Sequence, residues 1–218
     1  MGTLEEAAGV GIFLLGHDGL VDRVGQHVGY SVLALLIAAA IAVPAGLLIG
    51  HTGRGATVVT LIANVCRAVP SLGLMTTLIL VMGLGLLPPI ICLVLLAVPE
   101  LLAGVYAGIS SVDRATVDAS RAIGMKEWQI LFGVEVPNAL PTIIDGLRNA
   151  ALQVVATATI AAYVNLGGLG RYIFDGLSMY EYGQVIVGSV AVAVLSLIVD
   201  VALRGVAALV APPARRCR

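Results

Sequence analysis

Apolar residues run through this 218-residue chain in long stretches separated by short polar ones. A helix needs about 20 apolar residues to cross the roughly 30 Å of hydrocarbon in a bilayer. Five runs of that length lie at residues 28–50, 57–86, 89–111, 139–163 and 184–210. Only helices satisfy their own backbone in lipid, and no alternating strands of the barrel kind occur, so the pattern predicts an all-α membrane protein with five transmembrane helices. The expected plan is an extracytoplasmic lead-in at 1–27, a membrane domain at 28–210 with a polar segment at 113–137 inside it, and a tail at 211–218. Val10–Leu15 is too short to cross, and Glu5 and Glu6 stand where a signal peptide would carry Lys or Arg. Pro44, Pro70 and Pro99 fall within the runs and are expected to kink them or free backbone carbonyls.

The polar segment includes "DASRAIGMKEWQILFGVEVPNALP" at 118–141. Asp113 can cap a short helix carrying Ala115, Val117, Ala119 and Ala122, and Gly124 suits the left-handed turn that ends it. A second helix over about 126–134 carries Trp128, Ile130, Leu131 and Phe132, and Pro137 is expected to stop it. Two readings remain open on these residues: an interfacial loop with Trp128 at headgroup level, or a helix pair that meets a partner. After the fourth run, "NLGGLG" at 165–170 cannot continue a stable helix. It leads into a short amphipathic stretch bearing Tyr172, Phe174, Tyr180 and Tyr182, the residues of an interfacial anchor.

Lys and Arg outside the runs set the orientation, because cytoplasmic loops collect them. Arg54, then Arg114, Arg121 and Lys126, then Arg215, Arg216 and Arg218 share one side of a five-span chain. The other side holds Arg23, the uncharged turn Leu87–Pro89, and Arg171 against Asp175 and Glu181. The polar segment and C-terminus are therefore expected in the cytoplasm and the N-terminus outside, in the cell (inner) membrane.

Composition narrows the function classes. Hydrophobic residues make up 59% and charged ones 11%, with a net charge of -1 and 5% aromatics, which leaves neither the basic surface nor the stacking platforms of a nucleic-acid binder. Cys66, Cys92 and Cys217 have no metal-ligand spacing, so no metal, cofactor or catalytic residue is expected. The single lysine, Lys126, does not follow a phosphate-cradling glycine loop. Energy for any transport must come from another subunit or from an ion gradient.

Asp118-Ala119-Ser120, then Gly124, then Val134-Glu135-Val136-Pro137 resemble the cytoplasmic "EAA" loop of permease subunits of ATP-binding-cassette importers, in which Glu-Ala-Ala is followed at fixed spacing by Gly and by Ile-x-Leu-Pro. The substitutions are conservative and the spacing is kept. "VCRAVPSLGLM" at 65–75, "TATIAAYVNLGGLGRYIFDGL" at 157–177 and Asp200 are similar to the osmoprotectant uptake permeases; the methionine-importer permeases share the five-span plan, the "GGLG" segment and a counterpart to Arg67. The resemblance implies a type I importer permease fold and a role in uptake of a small compatible solute such as glycine betaine, choline, carnitine or proline. A methionine or amino-acid permease is the nearest alternative. It also implies that Asp118, Ala119, Ser120, Gly124, Glu127, Val134 and Pro137 couple the chain to cytoplasmic ATP-binding subunits, with a second permease subunit, identical or related, and an extracytoplasmic substrate-binding protein as further partners. An ion-coupled carrier is the rival from another class, although no internal repeat occurs and five spans do not halve.

Ionisable residues inside a bilayer are costly and need partners or a function. Arg67, Glu100, Asp145, Arg148, Asp200 and Arg204 are of this kind, and their charges cancel. They suggest either a network joining the second to fifth runs as part of a gate, or pairing that only fixes the bundle. Asp145, Asn149, Gln153 and Thr157 recur every fourth residue on the fourth run, so they are expected to share one drifting helix face that lines the translocation path, or to act as polar glue between helices.

Overall fold

The computed structural model describes residues 19–164 and 166–210, and nothing of the Ala56 side chain. Most of the lead-in, Asn165 and the arginine-bearing tail lie outside the described residues. The regular elements among the described residues are all helical: α1 Leu20–Thr52, α2 Ala56–Ala68, α3 Ser71–Met82, α4 Leu87–Ser110, α5 Arg114–Ala122, α6 Glu127–Ile130, a π-helical stretch Leu131–Glu135, α7 Val136–Ala161, a 3-10 turn Ala162–Val164, α8 Gly170–Met179 and α9 Tyr182–Val210. Four continuous helices, Leu20–Thr52, Leu87–Ser110, Glu127–Val164 and Tyr182–Val210, are long and apolar enough to cross a membrane. The pair Thr57–Ala68 and Ser71–Met82 makes a fifth when taken as one broken span.

The departures from the hydropathy reading have local causes. Helix α1 starts at Leu20, ahead of the apolar run at 28, because apolarity marks where lipid can begin and helical hydrogen bonding also forms in polar surroundings. The second run breaks at Pro70: Val69 is extended at φ -75° and ψ 123°, as a residue before proline must be, and the two helices are bent by 85°. Helices α1 and α4 instead run through Pro44 and Pro99 without a break.

Pro137 does not end the second helix of the polar segment, which continues as one 38-residue helical run from Glu127 to Val164. A proline ring inside a helix crowds the carbonyl four residues back, here that of Gly133. Gly133 lies in the π-helical stretch, whose wider turn relieves that crowding. The Asn138 amide also donates to the Val134 carbonyl at 2.8 Å, so that acceptor is satisfied beside the proline.

The chain divides into two compact units. One draws its described residues from Met1–Ala34, Ser71–Leu93 and Val154–Ser196, the other from Leu35–Pro70, Val94–Gln153 and Leu197–Arg218. The second is held by close approach of helices at small residues. A Cβ added to Gly104 would lie 2.4 Å from the Gly146 Cα, so α4 and α7 meet backbone to backbone. A Cβ on Gly46 or Gly50 would meet Val105 at 2.7 Å or Ile109 at 2.6 Å, which seats α1 on α4. Both α1 ("GLLIG", 46–50) and α4 ("GVYAG", 104–108) carry glycines four apart, the spacing that lets helices pack tightly in lipid, where burial in water supplies no drive. Around them lie Ala42, Val59, Leu101, Leu102, Val105 and Ala150.

In the first unit Met75, Leu93, Val154 and Leu169 are buried, and His27 Nε2 lies 3.0 Å from the Val155 carbonyl oxygen. Tyr172, expected at an interface, is instead buried. Its Cβ sits where a Cβ on Gly188 would come within 2.7 Å, so α8 packs on α9 at that glycine.

Candidate functional site

The polar segment folds as the helix pair that its caps imply. Asp113 accepts the Ala115 N–H at 3.0 Å and starts α5. At the other end the Gly124 N–H donates to the Arg121 carbonyl at 2.9 Å and the Met125 N–H to the Ser120 carbonyl at 3.2 Å. That is the double bond of a Schellman closure, and Gly124 has the positive φ of 86° it needs. Gln129 Oε1 then accepts the Lys126 N–H at 2.8 Å and starts the next helix.

Val117 and Ile130 face inward and are buried with Ile109, Val112 and Ala139, which fixes the pair to the ends of α4 and α7. Outward stand Ile123, Trp128 and Phe132, each at least 60% exposed. Of the residues assigned to coupling, Asp118, Ala119, Gly124, Glu127 and Pro137 are exposed, Val134 is half-buried, and Ser120 is buried, its hydroxyl donating to the Thr116 carbonyl at 2.8 Å.

A chain of charged side chains binds this pair together. Arg121 reaches Asp118 at 3.2 Å and grips Glu127 with two bonds, Nε to Oε1 at 3.0 Å and Nη2 to Oε2 at 3.1 Å. The hydrogen bond to Glu127, ahead of that to Asp118, raises the Arg121 pKa above its ordinary value. Glu127 Oε2 also lies 3.1 Å from His51 Nε2, and His51 Nδ1 lies 2.6 Å from Glu135 Oε2. The chain thus runs from open surface at Asp118 to a carboxylate, Glu135, that is only 6% exposed. His51 carries no mark in the sequence, and Glu135 enters there only as the unassigned position between Val134 and Val136. A lone histidine in the last turn of an apolar run carries no local pattern, and its partner is 84 residues away.

The ionisable residues of the apolar runs form two groups. Arg67 makes a two-pronged pair with Glu100, at 2.6 Å and 2.9 Å. Asp200 takes Arg148 at 2.6 Å and, through its other oxygen, Arg204 at 2.9 Å. Asp145 stands 3.8 Å from Arg148, and the Asn149 carbonyl oxygen 3.5 Å from it. No ion pair among the described residues joins the two groups, so these charges stand as a pair and a cluster.

Of the polar stripe on α7, Asp145, Asn149 and Gln153 are exposed and Thr157 is buried. Each four-residue step rotates about 40° past a full turn, and three steps carry Thr157 off the face of the others.

Around the "GGLG" segment, Gly168 adopts φ 82° and its N–H donates to Gln26 Oε1 at 2.9 Å. Arg23 donates to the same oxygen at 3.2 Å. Next to it Arg171 pairs with Asp175 at 3.0 Å, and both line an open polar pocket with Arg23, Tyr172 and Gln184.

The chain is 37% identical to the carnitine transport permease protein OpuCB of Listeria monocytogenes over 188 residues, 86% of either chain. It is 33% identical to the glycine betaine/carnitine/choline transport system permease protein OpuCB of Bacillus subtilis (strain 168), covering 84% of this chain and 85% of that one. Its fold matches a chain of the MetNI methionine ABC transporter in an inward-facing conformation, with a TM-score of 0.78 at 21% identity over 88% of this chain and 96% of that one. Residues 42–215 match the family described as binding-protein-dependent transport system inner membrane component, and the chain belongs to that family.

Proposed function

We propose that this chain is the membrane subunit of an ATP-driven importer that carries a small compatible solute, such as glycine betaine, choline, carnitine or proline, into the cell. The observation that carries the reading is the helix pair between the third and fourth apolar runs: braced from within by Val117 and Ile130, it presents Ile123, Trp128 and Phe132 to the outside. Large apolar side chains held rigidly on a polar loop cost solvation unless a partner covers them, and each contributes about 1.5–3 kcal/mol once fully buried. The partner is a cytoplasmic ATP-binding subunit, and the segment with Asp118, Ala119, Ser120, Gly124, Glu127, Val134 and Pro137 is the coupling element. The substrate class is supported by the relatives named for carnitine, choline and glycine betaine.

In this reading the N-terminus is outside and the C-terminus in the cytoplasm. A second permease subunit, identical or related, completes the path, which Asp145, Asn149 and Gln153 line. The α8 surface by Arg171 and Asp175 receives an extracytoplasmic binding protein. When the ATPase subunits close, they move the coupling segment, and the ends of α4 and α7 move with it through the shared core of Ile109, Ile130 and Ala139.

Purification of the tagged chain in mild detergent tests the partners: an ATP-binding subunit is expected to come with it. Uptake of labelled carnitine into cells carrying the whole transporter, competed by unlabelled glycine betaine, choline, proline and methionine, tests the solute. Competition by methionine alone would overturn the substrate class.

A further inference from the structure

We propose that His51 is a positioning residue through which the coupling segment moves the end of α1; the inference rests on the reading of 113–137 as that segment. His51 sits in the last turn of α1, just before Gly53 turns the chain with φ 68°. Its two ring nitrogens face two carboxylates from one helical run, Glu127 at 3.1 Å and Glu135 at 2.6 Å. In a regular helix residues eight apart are rotated by about 80° from each other. The π-helical stretch Leu131–Glu135 lowers the rotation per residue and brings Glu135 back towards the face of Glu127. The wider turn that accommodates Pro137 therefore also lets both carboxylates reach one imidazole.

Two features separate this contact from an ordinary surface pair. The imidazole is 13% exposed and the Glu135 carboxylate 6%, so water does not replace either partner freely. The ring also bonds two points two turns apart, which fixes direction as well as distance. Each ring nitrogen thus has a carboxylate oxygen within hydrogen-bond reach, at the C-terminal end of α1. The charged groups around it are Glu127 and Glu135 in contact, Arg121 and Asp118 behind Glu127, and Arg114, whose Nη2 lies 4.0 Å from the place of a Cβ on Gly53. A displacement of the segment by its partner is thereby delivered to α1.

The test uses proteoliposomes of the whole transporter with its binding protein and a mixture of labelled glycine betaine, carnitine and choline, in which ATP hydrolysis, uptake and retention of the ATPase subunit are measured together. His51→Ala is expected to lower solute moved per ATP by about tenfold, as for a lost charge-assisted hydrogen bond, with the KM for ATP and subunit retention unchanged. His51→Gln, whose amide donates from one nitrogen and serves one carboxylate, is expected to fall between, at about threefold; it also decides the matter if His51→Ala does not accumulate. A residue that only braced the fold would lower hydrolysis and uptake in step with the amount of complex, which would overturn the proposal. Gly124→Asp separates the two readings: if it uncouples while both His51 variants match wild type, His51 is overturned and the coupling segment stands. If all three match wild type, both fall.

Discussion

Asp200 with Arg148 and Arg204, and Glu127 with Arg121 and His51, are built alike: a carboxylate held between two cationic or protonatable side chains at 2.6–3.1 Å. The first lies on α7 and α9 within apolar runs; the second joins Arg121 and Glu127 of the polar segment to His51 at the end of α1. On an apolar helix an ionised group must have a partner whatever its task, since lipid offers none, so pairing at Asp200 is a condition of folding and says little about transport. On the polar segment water would solvate the exposed Arg121 and Glu127 at little cost, and exposed pairs add little stability. There the bonds are retained for the geometry they impose. The two sites should accordingly fail in different ways.

Asp200→Leu is expected to have the largest effect. It removes the only carboxylate on Arg204 among the described residues and leaves Arg148 with Asp145 at 3.8 Å, at a cost of about 3–5 kcal/mol, and little folded protein should survive thermal unfolding assays in detergent. The triple replacement Arg148→Met, Asp200→Leu, Arg204→Met should recover most of that stability, because apolar residues on apolar helices replace the ion cluster at little net cost. Full uptake by the triple variant would assign the cluster to the bundle, and a stable but inactive one would assign it to a gate.

Glu127→Lys comes next, and it sharpens the contrast: the unfolding midpoint should stay at the wild-type value while uptake falls by about tenfold, since the Arg121 contact turns repulsive and the carboxylate facing His51 is lost. Loss of folded protein here would erase the distinction between the two sites. Arg67→Gln and Glu100→Gln should each lower uptake by about threefold and the double variant should restore it, the mark of a pair whose guanidinium is more than half exposed. Asp118→Asn should change uptake by less than about twofold, because Arg121 keeps both bonds to Glu127 and Asp118 is 71% exposed.

The helical class could be read in the sequence because lipid reduces the choice of spanning structures, and the helix pair of the polar segment because Asp113 and Gly124 each carry a local backbone requirement. What escaped depends on neighbours distant in sequence. Pro137 signals a stop, and the π turn before it cancels the signal. Thr157 keeps the spacing of the stripe but not its face, since the drift of a helix accumulates. The glycines at 46, 50, 104 and 108 are visible as a pattern, yet which helix they admit is set by Val105, Ile109, Gly146 and Ile143. His51 is legible only once Glu127 and Glu135 stand on either side of it.

Uptake of labelled solute by proteoliposomes of the transporter purified through this chain, with and without internal ATP, for wild type and Gly124→Asp, tests the central claim most directly. A Cβ added at Gly124 would meet no atom of this chain within 4 Å, so beyond the strain of its positive φ the new side chain stands on the face that the proposed partner would cover. The account predicts uptake only with ATP, and its loss in Gly124→Asp while the protein remains folded in the membrane. Uptake driven by an ion gradient without ATP, or undiminished ATP-driven uptake in Gly124→Asp, would contradict it.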